Sequence, residues 1–146
     1  MNSQLCLILN FASTWAMVGV IWIIQVVHYP LFASVGSDQF RGYEQDHQRL
    51  ITYIVLPLMF CELITSGLLW VYRPVGSSAV LIGIGIALVL LIWGSTFLLQ
   101  VPQHGQLGNG FDAAVHQKLV SGNWIRTVAW TLRGLVVGYL VWRSMA

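Results

Sequence analysis

VVHYPLFASVGSDQFRGYEQDHQRLI, residues 26–51, places five charged side chains and two histidines together in a chain that is only 8% charged and 57% hydrophobic. An apolar run ends as this stretch begins, and another starts as it closes. Soluble domains carry roughly a quarter charged residues, and a mean hydropathy of +0.73 lies far from that pattern. The stretch therefore reads as a polar connection between two membrane-type segments.

Apolar runs at residues 6–27, 50–72, 79–101 and 120–141 each reach the length of about 20 residues that a helix needs to cross the hydrocarbon layer. The expectation is an all-α, integral membrane four-helix bundle: one transmembrane domain over residues 1–146, multi-pass in a plasma or inner membrane, with the lipid bilayer as its first partner. The first run lacks a basic leader and exceeds the about 7–15 residues of a signal-peptide core, so it is read as a retained helix. Cys6 and Cys61 fall in different apolar runs, which indicates neither a disulfide framework nor a CxxC metal site. A net charge of +2 without any basic run argues against nucleic-acid binding and against a polybasic lipid patch.

Pro74, Gly76, Ser77 and Ser78 mark a short turn between the second and third runs. The connections at 28–49 and 103–118 are longer, and each reads as a turn followed by a helical lead-in; Phe40, Tyr43 and His47 share one helical stripe. Because consecutive spans are antiparallel, both long connections emerge at the same membrane face. All four histidines lie there: His28 closes the first helix, His47 precedes the second, His104 closes the third and His116 precedes the fourth. Positive charges near this mouth, Arg41, Arg49 and Lys118, outnumber Arg73 and Arg143 opposite, which points to a cytoplasmic mouth. Four-span chains that keep both termini inside point the other way, and the sequence leaves the side open.

The two halves echo each other. QVVH at 25–28 matches QVPQH at 100–104, and HQRLI at 47–51 matches HQKLV at 116–120. The expectation is a pair of parallel helical hairpins related by a pseudo-twofold axis along the membrane normal.

A bundle of this topology brings one histidine from each helix end to a common mouth. Imidazole suits first-row transition metals, and bundles build metal sites from histidines and carboxylates on facing helices. The expected metal ligands are His28, His47, His104 and His116, with Glu44 and Asp112 as additional carboxylates. Against this stands the ordinary use of half-polar side chains at the membrane interface, and no HExxH or comparable spacing is present.

Deeper in the runs lie Glu62, Asn123, Arg126 and Arg133. Ionisable residues within a span are costly and face the bundle interior with a partner. At about 1.5 Å per residue, Glu62 and Arg133 sit about 22 Å and 25 Å from the mouth histidines of their helices, so a structural ion pair is expected. Arg126, about 15 Å in, is placed either to address an anionic or phenolate oxygen, with Asn123, Tyr43 and Trp130 as neighbouring substrate contacts, or to cap carbonyls or snorkel to the interface. Pro57 and Pro102 are expected to bend their helices, and Gly83, Gly85, Gly94 and Ser95 to permit close packing of the third helix.

The segments QVVHYP at 25–30, Pro57 to Glu62, LQVPQH at 99–104 and NWIRT at 123–127 resemble a group of small four-helix membrane proteins, the anthrone-oxygenase-like family. The resemblance touches all four helices and implies oxidation of a lipophilic phenolic aromatic to a quinone. It implies no established catalytic residue.

Three functions follow as expectations. The first is a membrane-embedded, metal-dependent oxidoreductase or oxygenase acting on a lipophilic substrate, with copper or iron favoured over zinc for redox work. The second is a haem- or quinone-binding electron-transfer module, disfavoured by histidines at helix ends rather than inside facing spans. The third is a non-catalytic subunit of a homo-oligomer or larger membrane complex.

Overall fold

Each apolar run continues as helix into the polar sequence beside it. A computed structural model describes residues 2–74 and 76–145 and contains, among the described residues, helices and turns but no strand. Four long helices result: α1 (Ser3–Ser34), α2 (Ser37–Val71), α3 (Ala79–Leu107) and α4 (Ala113–Met145). The polar connections are thus far shorter than expected, with only Val35 and Gly36 between α1 and α2, and residues 108–112 between α3 and α4. Residues 37–49 stay helical because their inward stripe has something to bury: Phe40, Glu44 and His47 are all buried at the i, i+4, i+7 spacing of one helical face.

The helix ends follow capping chemistry. Asn2 accepts the backbone N–H of Gln4 at the start of α1, and the carboxylate of Asp112 accepts those of Ala114 and Val115 at the start of α4. A side-chain acceptor there satisfies amide groups that the helix itself leaves unpaired. Asp112, expected as an additional metal ligand, is thus a helix cap exposed to solvent.

Two of the helices are not regular throughout. α1 widens into a π turn over Ile24–His28 and α3 over Thr96–Gln100. In each, the amide just after the wide turn, Tyr29 or Val101, bonds to the carbonyl five residues back. Proline follows at once, as Pro30 and Pro102. A proline ring collides with the carbonyl four residues behind it and offers no N–H, and a widened turn accommodates both defects without ending the helix. α3 accordingly runs past Pro102 to Leu107, and α2 passes through Pro57 unbroken. The extra residue also advances the helical phase by roughly 100°, so Tyr29 turns into the interior while Val26 and Val27 face outward.

α1 packs between α2 and α4, and α3 closes the bundle against α4 and α2. Three apolar layers fill it. Cys6, Leu69, Ile82 and Val137 form one end, Met17, Met59, Ile92 and Trp130 the middle, and Phe32, Phe40, Leu107 and Leu119 the histidine end. Gly134 lets α4 approach α1, since a Cβ there would lie 3.2 Å from Val18 Cγ2 and 3.5 Å from Trp15. On α3, Gly85 sits against Arg133 and Gly83 near Trp70, whereas Gly94 meets nothing within 4 Å and takes no part in the close packing expected of it.

The surface is apolar to an unusual degree, with Ile23, Tyr53, Val71, Val80, Leu98 and Leu135 all more than half exposed. Glu44, Glu62, Asn123, Arg126 and Arg133 are buried instead. α1, α2 and α3 are each long and apolar enough to cross a membrane.

Candidate functional site

Phe32 occupies the centre of the histidine mouth. Its ring is fully buried, and its centroid lies 5.2 Å from His28, 5.2 Å from His47, 6.4 Å from His104 and 6.2 Å from His116. Topology does gather the four imidazoles, but around a phenyl group rather than around a common point. Among the described residues, no group of three or more His, Cys, Asp or Glu side chains converges as a metal shell. The four histidines expected as metal ligands thus surround the Phe32 ring.

Each histidine has a separate partner. Nε2 of His28 and Nδ1 of His47 are 2.8 Å apart, so one of the two donates and the other accepts. Nε2 of His116 donates to the backbone carbonyl of Tyr29 at 2.8 Å and ties the start of α4 to the end of α1. His104 stands in a chain of three: the Tyr29 hydroxyl lies 2.8 Å from its Nε2, and its Nδ1 lies 2.5 Å from Oε1 of Glu44. Carboxylate oxygen can only accept, so Nδ1 carries the proton and Nε2 accepts from the phenol. Gln48 donates to the same carboxylate oxygen and to the His104 carbonyl. Oε2 of Glu44 is buried without a hydrogen-bond partner among the described residues.

Arg126 closes the network from α4. It donates to Asn123 Oδ1 through Nε at 2.9 Å and through Nη2 at 2.5 Å, with longer contacts to the Tyr29 hydroxyl at 3.3 Å and to Thr96 at 3.4 Å. Asn123 in turn donates to Gln25. Arg126 therefore neither snorkels nor caps a loop; it is a buried cation held by neutral groups. Its guanidinium lies 5.9 Å above the ring of Trp130.

An apolar cavity of about 220 Å³ opens beside this network, with Tyr29, His47, His104 and Arg126 at its polar end and Trp93 and Trp130 along its walls. Thr52, Leu56, Phe97 and Val101 line its other side and are exposed, so the opening faces sideways between α2 and α3. A second, shallower cleft of about 510 Å³ lies between α1 and α2 and holds Tyr43, Asp46, His28 and His47. Tyr43 thus belongs to a different recess from Arg126 and Trp130, and Asn123 lines neither. His47 borders both.

Glu62 and Arg133 meet deeper in the bundle, with Arg133 Nε 3.1 Å from Glu62 Oε1. Trp130 donates to the other carboxylate oxygen at 2.9 Å, and Arg133 also reaches Asn10, Ser66 and the Gly85 carbonyl. Neither side chain lines the cavity between α2 and α3.

Sequence reasoning missed Tyr29, Phe32, Gln48 and Gln100 as site residues. The Tyr-Pro and Val-Pro pairs at 29–30 and 101–102 were the available signal, since a proline after a long apolar run announces a turn that re-aims the residues before it. Gln100 lines the cavity, and its Nε2 has no partner among the described residues. Comparison with protein-family models, curated proteins and solved structures returns no match for the chain.

Proposed function

We propose that the protein is a multi-pass membrane enzyme that takes a lipophilic small molecule from the bilayer into the cavity between α2 and α3 and moves a proton on that molecule with the Tyr29, His104 and Glu44 chain. The observation that carries this reading is the hydrogen-bonded series from phenol to imidazole to carboxylate at the polar end of an otherwise apolar cavity. A carboxylate that holds imidazole in one tautomer leaves the opposite nitrogen free to take a proton. Arg126, beside the Tyr29 hydroxyl, favours negative charge on the oxygen atoms around it.

The apolar exterior, the buried polar interior and three helices of spanning length support placement in a membrane as a four-helix bundle. The matching π turns before Pro30 and Pro102 support a repeat of two hairpins. In that repeat His28 corresponds to Gln100 rather than to His104, a register three or four residues away from the sequence match.

The segments that resemble the anthrone-oxygenase-like family supply Gln25, Tyr29, Gln100, His104, Asn123 and Arg126 to the site, which supports oxidation of a phenolic aromatic with an acidic methylene carbon. The methylene loses a proton to the relay, and the resulting anion is oxidised by molecular oxygen. One oxygen atom becomes the new carbonyl, and the other leaves as water with the two methylene hydrogens. The test is oxygen uptake and quinone absorbance with anthrone and the purified protein in nanodiscs. Uptake no faster than in empty discs would sink the oxidation.

One observation favours a metal-centred variant of this reading: the buried, partnerless Oε2 of Glu44 lies at the same mouth as the directly paired His28 and His47. Copper or iron bound at this mouth would supply one-electron chemistry with oxygen. Elemental analysis of the purified protein with an optical spectrum decides between the two versions and reveals any haem.

A further inference from the structure

Among the described residues Arg126 has no counter-ion. Five acidic residues are present in the chain, and each is committed elsewhere: Glu62 to Arg133, Asp46 to Arg49, Glu44 to His104, Asp112 to the start of α4, and Asp38 to the exposed start of α2 beside Ser37. Among the described residues Arg126 forms no salt bridge, although it is 6% exposed. A guanidinium offers five N–H donors. The four hydrogen bonds it makes end on an amide oxygen and two hydroxyls. At least one N–H and the whole charge therefore remain for something else.

Burying a cation without a counter-charge is expensive, and the expense is relieved when an anion arrives in the same low-dielectric space. Arg133 shows how this chain treats such a group when its role is internal: it makes four hydrogen bonds, as Arg126 does, but one of them is to the carboxylate of Glu62. Arg126 is treated differently, and unlike Arg133 it lines the cavity between α2 and α3. The walls below it are apolar and aromatic, and the opening faces the side of the bundle.

We infer that the cavity between α2 and α3 takes an amphiphilic monoanion, an aromatic or aliphatic body carrying a carboxylate, with Arg126 as its counter-ion. The body lies against Trp93 and Trp130, and the charged oxygen replaces the missing partner of the guanidinium. This rests on the reading that the cavity is the ligand site and adds the charge of the ligand to it. A neutral molecule of the same shape leaves Arg126 uncompensated and is held more weakly.

Anthracene-9-carboxylate and its methyl ester test the inference, because energy transfer from the tryptophans that line the cavity reports binding of either. The protein is held in zwitterionic phosphatidylcholine nanodiscs, and empty discs correct for partition. The acid is expected to bind on the order of 10-fold tighter than the ester, and Arg126→Gln to weaken the acid on the order of 30-fold while leaving the ester unchanged. Arg126→Lys should keep part of the preference. Equal binding of acid and ester to the wild-type protein overturns the inference, whatever the folding of the variants. Acid preference without any oxygen uptake on anthrone removes the oxidation alone; oxygen uptake without acid preference removes the anion alone.

Discussion

Oη of Tyr29 and Nε2 of His104 lie 2.8 Å apart although 75 positions separate them in the chain. Each is delivered by a helix that has just passed a widened turn, and Glu44 on a third helix fixes the imidazole from behind. If this chain transfers protons, Tyr29→Phe and Glu44→Gln should each lower the turnover number on the order of 100-fold, the usual scale of positioned acid–base groups. Tyr29→Phe keeps the ring and the cavity wall, so the affinity for a bound aromatic should stay nearly constant. Separate determination of kcat and KM checks this; a change confined to KM would assign Tyr29 to binding alone.

Much of this was legible in the sequence, and what was not has physical reasons. The four helices and the depth match of Glu62 with Arg133 follow from apolar run length and helical rise alone. The gathering of His28, His47, His104 and His116 at one end follows from antiparallel topology. Which ring faces which could not be read, because side-chain direction at the mouth depends on two π turns that shift the helical phase. Phe32 illustrates the limit. In the sequence it is one of several apolar residues between His28 and Gly36, and its place between four imidazoles emerges only once α1 is seen to continue to Ser34. Asp112 shows another limit: the sequence offers a carboxylate near His116, and only the fold shows it accepting the amides of Ala114 and Val115 as the cap of α4.

Breaking the deep ion pair from one side should cost more than removing it altogether. Glu62 and Arg133 are both 1% exposed and share their hydrogen bonds with Trp130, Asn10 and Ser66. Loss of one partner strands a buried charge, at a cost of about 3–5 kcal/mol. Glu62→Gln and Arg133→Gln should each destabilise on that scale, and the double variant should recover part of the loss. A double-mutant cycle on unfolding in mixed micelles measures it, and strictly additive losses would deny the pair its role.

Close approach of α1 and α4 depends on a single missing side chain. A Cβ at Gly134 would press on Val18 at 3.2 Å and on Trp15 at 3.5 Å, and Val18 is itself buried beside Met17 and Ile21 in the central layer. Val18 has little room to retreat, so Gly134→Val should cost about 1–3 kcal/mol through overpacking. At Gly94 the same added atom meets nothing within 4 Å, so Gly94→Ala should be neutral or mildly stabilising through its better helix propensity. Thermal stability of the two variants side by side checks the contrast. Equal effects would mean that the α1–α4 contact is looser than the separation of Gly134 from Val18 implies.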